Sequence, residues 1–143
     1  MSLRGAKATK QSHIMKESTE NWLKIAAKDL KIAEASLNAN EPIGVIFHLH
    51  ASVEKILKAI YEEEKGDPPH IHRLKKLAID CCDIKLKEKE KELLGILDTA
   101  FINSRYPKSI EMFEAEYNIN SCKNLIEETK GLIKWLKSLL NNK

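Results

Sequence analysis

The sequence contains little proline and little glycine, four and five residues among 143. These are too few for the many turns of a loop-rich β-sandwich or barrel. No apolar run approaches the roughly 18 residues that cross a membrane, and residues 1–16 lack the apolar stretch of a secretory signal peptide. We therefore expect one globular domain of ordinary size that makes no membrane contact.

Cysteine is also scarce, with Cys81, Cys82 and Cys122 as the three examples. An odd number of cysteines without a C-x-x-C pattern is unlike a disulfide framework or a zinc ribbon. A reducing compartment is the simplest interpretation, so we expect a cytoplasmic protein. The three positions fall on or beside apolar helical stripes, where cysteine usually acts as a small hydrophobic side chain.

The net charge of +3 is concentrated at the start of the chain. Residues 1–16 contain four basic residues and no acidic one, which leaves 20 basic and 21 acidic residues in the remainder. We predict a flexible basic arm over residues 1–16 and a nearly neutral domain over residues 17–143. A domain without a broad basic surface lacks the electrostatic footprint of a general nucleic-acid binder.

Apolar residues recur at helical spacing along the domain, and no segment alternates like a strand. The pattern predicts a first helix from Ser18 or Thr19 and a second from Pro42 to about Glu64. A short helix is expected from about His72 to Cys82, and a longer one from about Lys89 to Ser104. The last helix is expected from Asn120 or Ser121.

Four main helices and one short helix joined by brief links predict an all-α fold, an antiparallel up-and-down bundle. The second helix is apolar almost all round at its start, which indicates a central position or cover by a partner. A homodimer is the commonest form of such cover. Trp22, Phe47, Tyr61 and Phe101 are expected in the core.

Several polar residues interrupt the apolar stripes or end them. Asp29 lies on the core face of the first helix, His50 and Glu54 share a face of the second, and Arg105 ends the fourth. Because unpaired buried charges are costly, we expect these four residues in one polar cluster. The cluster is either a set of structural ion pairs or part of a ligand site. A guanidinium at a helix end suits a phosphate or carboxylate.

Motifs for metals and common cofactors are missing. His48 and His50 point to different faces of a helix, and the Glu-x-x-His pattern of bundle metalloproteins does not occur. Phosphate-binding loops, dinucleotide-binding loops and nucleophile elbows are likewise missing. We therefore expect neither a metal nor a cofactor.

Four segments, in order over about residues 20–107, resemble the HEPN domain family. Trp22 followed by Ala26-Ala27-Lys28-Asp29-Leu30 is similar to its first helix. The segment Phe47-His48-Leu49-His50-Ala51-Ser52-Val53-Glu54-Lys55-Ile56-Leu57-Lys58-Ala59 is similar to its second. Gly66 with Pro69-His70-Ile71-His72-Arg73-Leu74, and then Arg105-Tyr106-Pro107, complete the resemblance.

The resemblance implies a helical bundle that dimerises and one of two kinds of function. Many relatives are metal-independent ribonucleases or toxins in which an Arg is followed, a few residues later, by a His. Others act with a minimal nucleotidyltransferase that is a separate chain. Here Ile110, Glu111 and Met112 occupy the positions of that His, and no His follows Arg105. Without the imidazole, the 2′-hydroxyl of RNA lacks its proton acceptor.

The resemblance therefore leads us to expect a homodimeric module without catalytic activity of its own, which binds a nucleotide, a phosphate or a partner and acts with a minimal nucleotidyltransferase in a toxin–antitoxin-like pair. RNA is a further possible ligand. The alternatives are an RNA endonuclease that uses Arg105 with His50 or His72, and a structural adaptor dimer. No catalytic residue is assigned. The candidate ligand-binding residues are Arg105, Tyr106, His50, Glu54, Asp29 and His72.

Overall fold

The computed structural model of the chain describes residues 14–141, and these residues form helices and connections without a strand. The third helix continues from an α-helical turn into a π-helical stretch. The elements are α1 (Glu17–Asn38), α2 (Pro42–Lys65), α3 (Leu74–Lys76, extended by Leu77–Cys81), α4 (Glu88–Arg105), α5 (Ile110–Glu116) and α6 (Ile119–Asn141). The predicted all-α fold is confirmed. No helix within residues 14–141 is long and apolar enough to span a bilayer.

The helix α5 was not predicted from the sequence. Ser109 begins it by accepting a hydrogen bond from the Met112 backbone N–H at 3.0 Å. Phe113 and Tyr117 are buried and attach the segment to the core. A helix of seven residues is too short for a helical period to stand out, and Pro107 marks only the end of the helix before it.

The helix α2 is the centre of the bundle, and its residues from Val45 to Glu62 are mostly buried. It runs antiparallel to α1, since Thr19 contacts Glu63 and Asp29 contacts His48. At Gly44 the backbone of α2 lies close to α1, because a Cβ atom there would come within 2.5 Å of the Ser36 hydroxyl. The central position agrees with the apolar character predicted for the start of this helix.

The helices α4 and α6 complete the alternation of directions around α2. His50 of α2 contacts Asp98 of α4, and Phe47 contacts Phe101, so α4 runs antiparallel to α2. The start of α6 lies beside Pro42, and Leu139 lies beside Ile60, so α6 runs parallel to α2. The four long helices therefore alternate in direction along the chain, as predicted.

Two of the three thiols are buried, as expected for small core side chains. Burial, with a smaller contribution from neighbouring Cys81, raises the pKa of the Cys82 thiol to about 12. Burial raises the pKa of the Cys122 thiol to about 11. Both cysteines are therefore protonated at neutral pH and unsuited to nucleophilic chemistry.

The last residue of the predicted basic arm contacts the end of α2. The Lys16 backbone N–H donates to the Glu63 carboxylate at 3.1 Å, and the Lys16 ammonium donates to the Glu62 carbonyl oxygen at 2.9 Å. Residues 1–13 of the predicted arm, and residues 142 and 143, lie outside the described residues.

One buried polar group in the core has no partner among residues 14–141, the hydroxyl of Thr129 on α6. A buried hydroxyl without a hydrogen bond costs about 1–3 kcal/mol, and valine has nearly the same shape. We expect Thr129→Val to raise the free energy of unfolding by about 1 kcal/mol, measured by urea denaturation. The exposed Thr99 provides the control, since Thr99→Val should leave stability nearly unchanged. A loss of stability in Thr129→Val would contradict this account.

Candidate functional site

His50 lies in the middle of α2 with 1% of its surface exposed. Its Nε2 atom donates to the Asp98 carboxylate at 3.0 Å. Its ring stacks on Phe101 with a centroid separation of 4.0 Å and an interplanar angle of 13°. The carboxylate and the aromatic ring together hold the imidazole in one orientation.

Asp98 connects three helices, because it also binds the first turn of α3. One of its oxygens accepts from the Leu74 backbone N–H at 2.9 Å, and the other accepts from Lys75 at 3.3 Å. Burial alone would raise the pKa of Asp98, but the hydrogen bonds from His50, Leu74 and Lys75 outweigh burial, and the pKa is lowered. The carboxylate is therefore charged at neutral pH.

Asp98 was missed in the sequence analysis, although its signal was of the same kind as that of Asp29. It lies four residues after Leu94 and three before Phe101, and so on the buried face of α4. A carboxylate at such a position needs buried donors. Here the donors are one imidazole and two backbone groups at the start of another helix.

Glu54 lies one turn after His50 and collects the next polar contacts. Its carboxylate accepts from the Lys58 ammonium at 3.0 Å and from the His72 Nδ1 atom at 2.9 Å. The His50 Nδ1 atom is 3.8 Å from the other Glu54 oxygen. Three predicted residues, His50, Glu54 and His72, are thus brought together, and Lys58 joins them.

Asp29 lies in a different set of contacts on the other side of α2. It accepts from the His48 Nδ1 atom at 2.9 Å and from the Lys55 ammonium at 3.5 Å. Within residues 14–141, no hydrogen bond or ion pair joins Asp29 to His50 or Glu54. The expectation of a single cluster is therefore wrong for Asp29, because its side chain faces the part of α2 that carries His48 and Lys55.

Arg105 is exposed at the end of α4 and also lies outside the cluster. Its guanidinium carbon is 5.6 Å from the centre of the Phe101 ring and 5.9 Å from that of Tyr106. Within residues 14–141, Arg105 forms no ion pair and no side-chain hydrogen bond. Its N–H donors are therefore free for a ligand, while the two rings restrict its position.

Aromatic contacts connect these separate groups. Phe101 contacts both His50 and Arg105, and its ring centre is 5.8 Å from that of Phe47. Phe47 in turn contacts the ring of His48, the partner of Asp29. Phe47 is 44% exposed, so its expected place in the core is wrong. It forms part of the surface beside Arg105.

Four of the candidate residues, Asp29, His50, Glu54 and His72, have hydrogen-bond partners in the bundle. Arg105 and Tyr106 have no side-chain hydrogen bond within residues 14–141. Tyr106 is 74% exposed and leads into a shallow cavity of about 220 Å³ lined by Asn103, Lys108, Met112 and Phe113. Among residues 14–141, no group of three or more His, Cys, Asp or Glu side chains is arranged to hold a metal ion. The guanidinium of Arg105, beside the ring faces of Phe101 and Tyr106, is chemically suited to bind an anion.

Comparison with known proteins identifies the family of the chain. A family model described as HEPN domain matches residues 19–139. The search of curated proteins found no match, and neither did the search of solved structures.

The contacts of Asp98 predict a loss of stability when its charge is removed. We expect Asp98→Asn to lower the free energy of unfolding by about 2 kcal/mol, because it weakens a helix cap and a charge-assisted hydrogen bond. The exposed Asp80 gives a control, and Asp80→Asn should change stability little.

Because the pKa of Asp98 is lowered, the stability lost in Asp98→Asn should depend on pH. A carboxylate whose pKa is lower in the folded state stabilises the fold above its unfolded pKa, near 3.8, and loses that effect as the pH falls through the folded value. The difference in the free energy of unfolding between wild type and Asp98→Asn should therefore have its full size at pH 6 and shrink below about pH 4. A difference that is constant from pH 6 to pH 2.5 in urea denaturation would overturn the assignment.

Proposed function

Because the chain belongs to the HEPN domain family, we propose that it is a non-catalytic HEPN module that binds a nucleotide or another phosphate group through Arg105. We further propose that it acts in the cytoplasm as a homodimer beside a minimal nucleotidyltransferase, in a toxin–antitoxin-like pair. The observation that carries the binding proposal is the exposed guanidinium of Arg105, which has no ion pair within residues 14–141.

The surroundings of Arg105 support a phosphate as its ligand. A guanidinium presents paired N–H donors that match two phosphate oxygens. Phe101 and Tyr106 hold the guanidinium through their ring faces, which leaves its hydrogen-bond donors unused. The exposed ring of Tyr106 adds a face on which a nucleobase can stack.

The positions of the histidines favour binding over cleavage. RNA cleavage needs a group that accepts the proton of the attacking 2′-hydroxyl, and no His follows Arg105 in the sequence. His50 shares a ring contact with Arg105, yet it is buried and bound to Asp98. His72 is bound to Glu54 on the far side of His50. Neither imidazole is free beside Arg105.

Exposed apolar side chains near Arg105 support self-association. Phe47, Ile102 and Tyr106 are 44%, 55% and 74% exposed, and Met112 is 66% exposed. Large apolar side chains that gather on one part of a surface mark interaction sites. We infer that a second copy covers Phe47 and Ile102, and that Arg105 and Tyr106 lie at the edge of this interface and stay open to the ligand.

The nucleotide proposal predicts a specific loss of binding on substitution of Arg105. We expect ATP to bind the wild-type protein in calorimetric titration, with the dissociation constant rising at least about tenfold in Arg105→Ala, since charge-assisted hydrogen bonds contribute about 1.5–3 kcal/mol. Arg105→Lys should recover only part of the affinity, because an ammonium cannot bind in a bidentate way. The matched control is Lys108→Ala, which removes a nearby exposed charge and should have a small effect.

Two results would overturn this proposal: equal ATP affinity in Arg105→Ala and wild type, or no ATP binding at all. Incubation of purified protein with structured RNA and a chelator tests the nuclease alternative, and we expect no cleavage. Cleavage that disappears in both Arg105→Ala and His72→Ala would favour the nuclease. Recovery of a nucleotidyltransferase in near-equal amount from source cells would support the partner, and recovery without one would contradict it.

The dimer proposal predicts dissociation when a charge is placed on the exposed apolar surface. Wild-type protein should have twice its chain mass of 16.3 kDa in light scattering after gel filtration. Phe47→Glu should give monomers, because a carboxylate would be desolvated at the interface. Ile79→Glu, at a similarly exposed isoleucine of the π-helical stretch, should remain dimeric. A wild-type monomer, or dimers of Phe47→Glu, would be the contrary result.

A further inference from the structure

A cavity of about 350 Å³ lies between α1, the end of α2 and the connection that leads to α3. We call it the Trp22 cavity. Trp22 and the Pro68-Pro69 pair supply apolar walls. The polar lining consists of Lys58, Glu62, Asp67, His70 and His72. Its volume is within the range of small-molecule sites, about 300–1,000 Å³.

Glu62 is the unusual residue of the Trp22 cavity. It is 8% exposed, and its carboxylate accepts one long hydrogen bond, from the Trp22 Nε1 atom at 3.3 Å. Among residues 14–141, no cation lies within ion-pair distance of this carboxylate. Lys16 binds the backbone carbonyl of Glu62 instead. Buried carboxylates are normally paired, because an uncompensated buried charge is costly.

With its histidines neutral, the cavity keeps a net negative charge after the ion pair between Lys58 and Glu54 is counted. Lys58, one turn before Glu62, is neutralised by Glu54 at 3.0 Å. The carboxylates of Glu62 and Asp67 then face the same space, and within residues 14–141 neither forms an ion pair. Of the two histidines in the lining, His72 is bound to Glu54. Glu62 takes no part in the contacts of His50, Glu54 and His72 described above.

We propose that the Trp22 cavity binds an organic cation, a primary ammonium or a guanidinium group, with Glu62 as its counter-ion. The indole ring favours a cation because of its electron-rich face, and Lys58 already lies 5.8 Å from the centre of that ring. Apolar walls suit an alkyl chain attached to the cation. Divalent metal ions need several ligands arranged around them, and within residues 14–141 no group of three or more His, Cys, Asp or Glu side chains is so arranged.

The cation has two sources, a free amine or a basic side chain of a polypeptide. The second includes the chain's own Arg4, Lys7 and Lys10, which lie outside the described residues. The proposal does not depend on Arg105, so a failure of ATP binding leaves it standing, and its own failure leaves the ATP site standing.

The test uses Trp22 as its own reporter. The chain of residues 1–143 with Trp135→Phe keeps Trp22 as its single tryptophan. We expect putrescine and butylamine to change the Trp22 fluorescence in a saturable way, whereas butanol and butyrate at equal ionic strength should not. The Glu62→Gln variant keeps an acceptor for the indole N–H and should bind both amines at least about tenfold more weakly, since one partner of a buried charge pair is lost. The exposed Glu111 supplies the control, and Glu111→Gln should bind like its parent.

A chain with Arg4, Lys7 and Lys10 all changed to Gln separates the two sources. Unchanged amine affinity in this chain supports a free amine, and at least about tenfold tighter binding supports the chain's own basic side chains as competitors. Both results retain the cation site. Absence of saturable binding in both chains, or equal binding by Glu62→Gln, overturns the proposal.

Thermal stability provides a second measurement that does not depend on fluorescence. The comparison is made in the chain with Arg4, Lys7 and Lys10 changed to Gln, so that no basic side chain from these positions can occupy the cavity. Without amine, Glu62→Gln should raise the unfolding temperature of this chain, because it removes an uncompensated buried charge. Putrescine should raise the unfolding temperature of this chain and leave that of its Glu62→Gln variant unchanged. A less stable Glu62→Gln variant would show that the carboxylate is already compensated, and would contradict the proposal.

Discussion

One partly buried carboxylate, that of Asp98, joins three of the helices. Its oxygens bind His50 at the centre of α2 and two backbone N–H groups at the start of α3, while Asp98 itself belongs to α4. A charged group in this position is tolerable only with donors on several sides. The hydrogen bonds therefore require α2, α3 and α4 to keep one relative position, and sliding of any of them would leave the charge without compensation.

The need of a buried charge for nearby partners also distinguishes polar residues that stabilise the fold from those that are available to ligands. His50, Glu54 and Asp29 form hydrogen bonds or close ion pairs within the bundle. They were candidate ligand-binding residues because they interrupt apolar stripes, and these internal partners account for their positions. Arg105 and Glu62 lack matching charges within residues 14–141, although one is exposed and the other is buried. Unmatched charges at a surface or a cavity are more informative about function than buried pairs are.

Helical periodicity was sufficient to predict the fold class, the four long helices and their alternating directions, because each long helix buries one continuous stripe. It was insufficient for α5, which has too few turns, and for Phe47, whose exposure depends on where α4 ends beside α2. Spacing along one helix could place His50 near Glu54. It could not reveal that Asp29 faces His48, since that depends on how α1 crosses α2. Asp98 could have been recognised by the rule that selected Asp29.

The contacts of His50 indicate that this histidine has a structural role. An imidazole that acts as a general base must reach its substrate, whereas one that is buried between a carboxylate and an aromatic ring is held in a single orientation within the fold. His50 meets the second description, because Asp98 and Phe101 bind it on two sides. Phe101, which stacks on His50, also contacts Arg105. His50 therefore joins the bundle to the Arg105 surface through an aromatic ring, while its own hydrogen bond goes to Asp98.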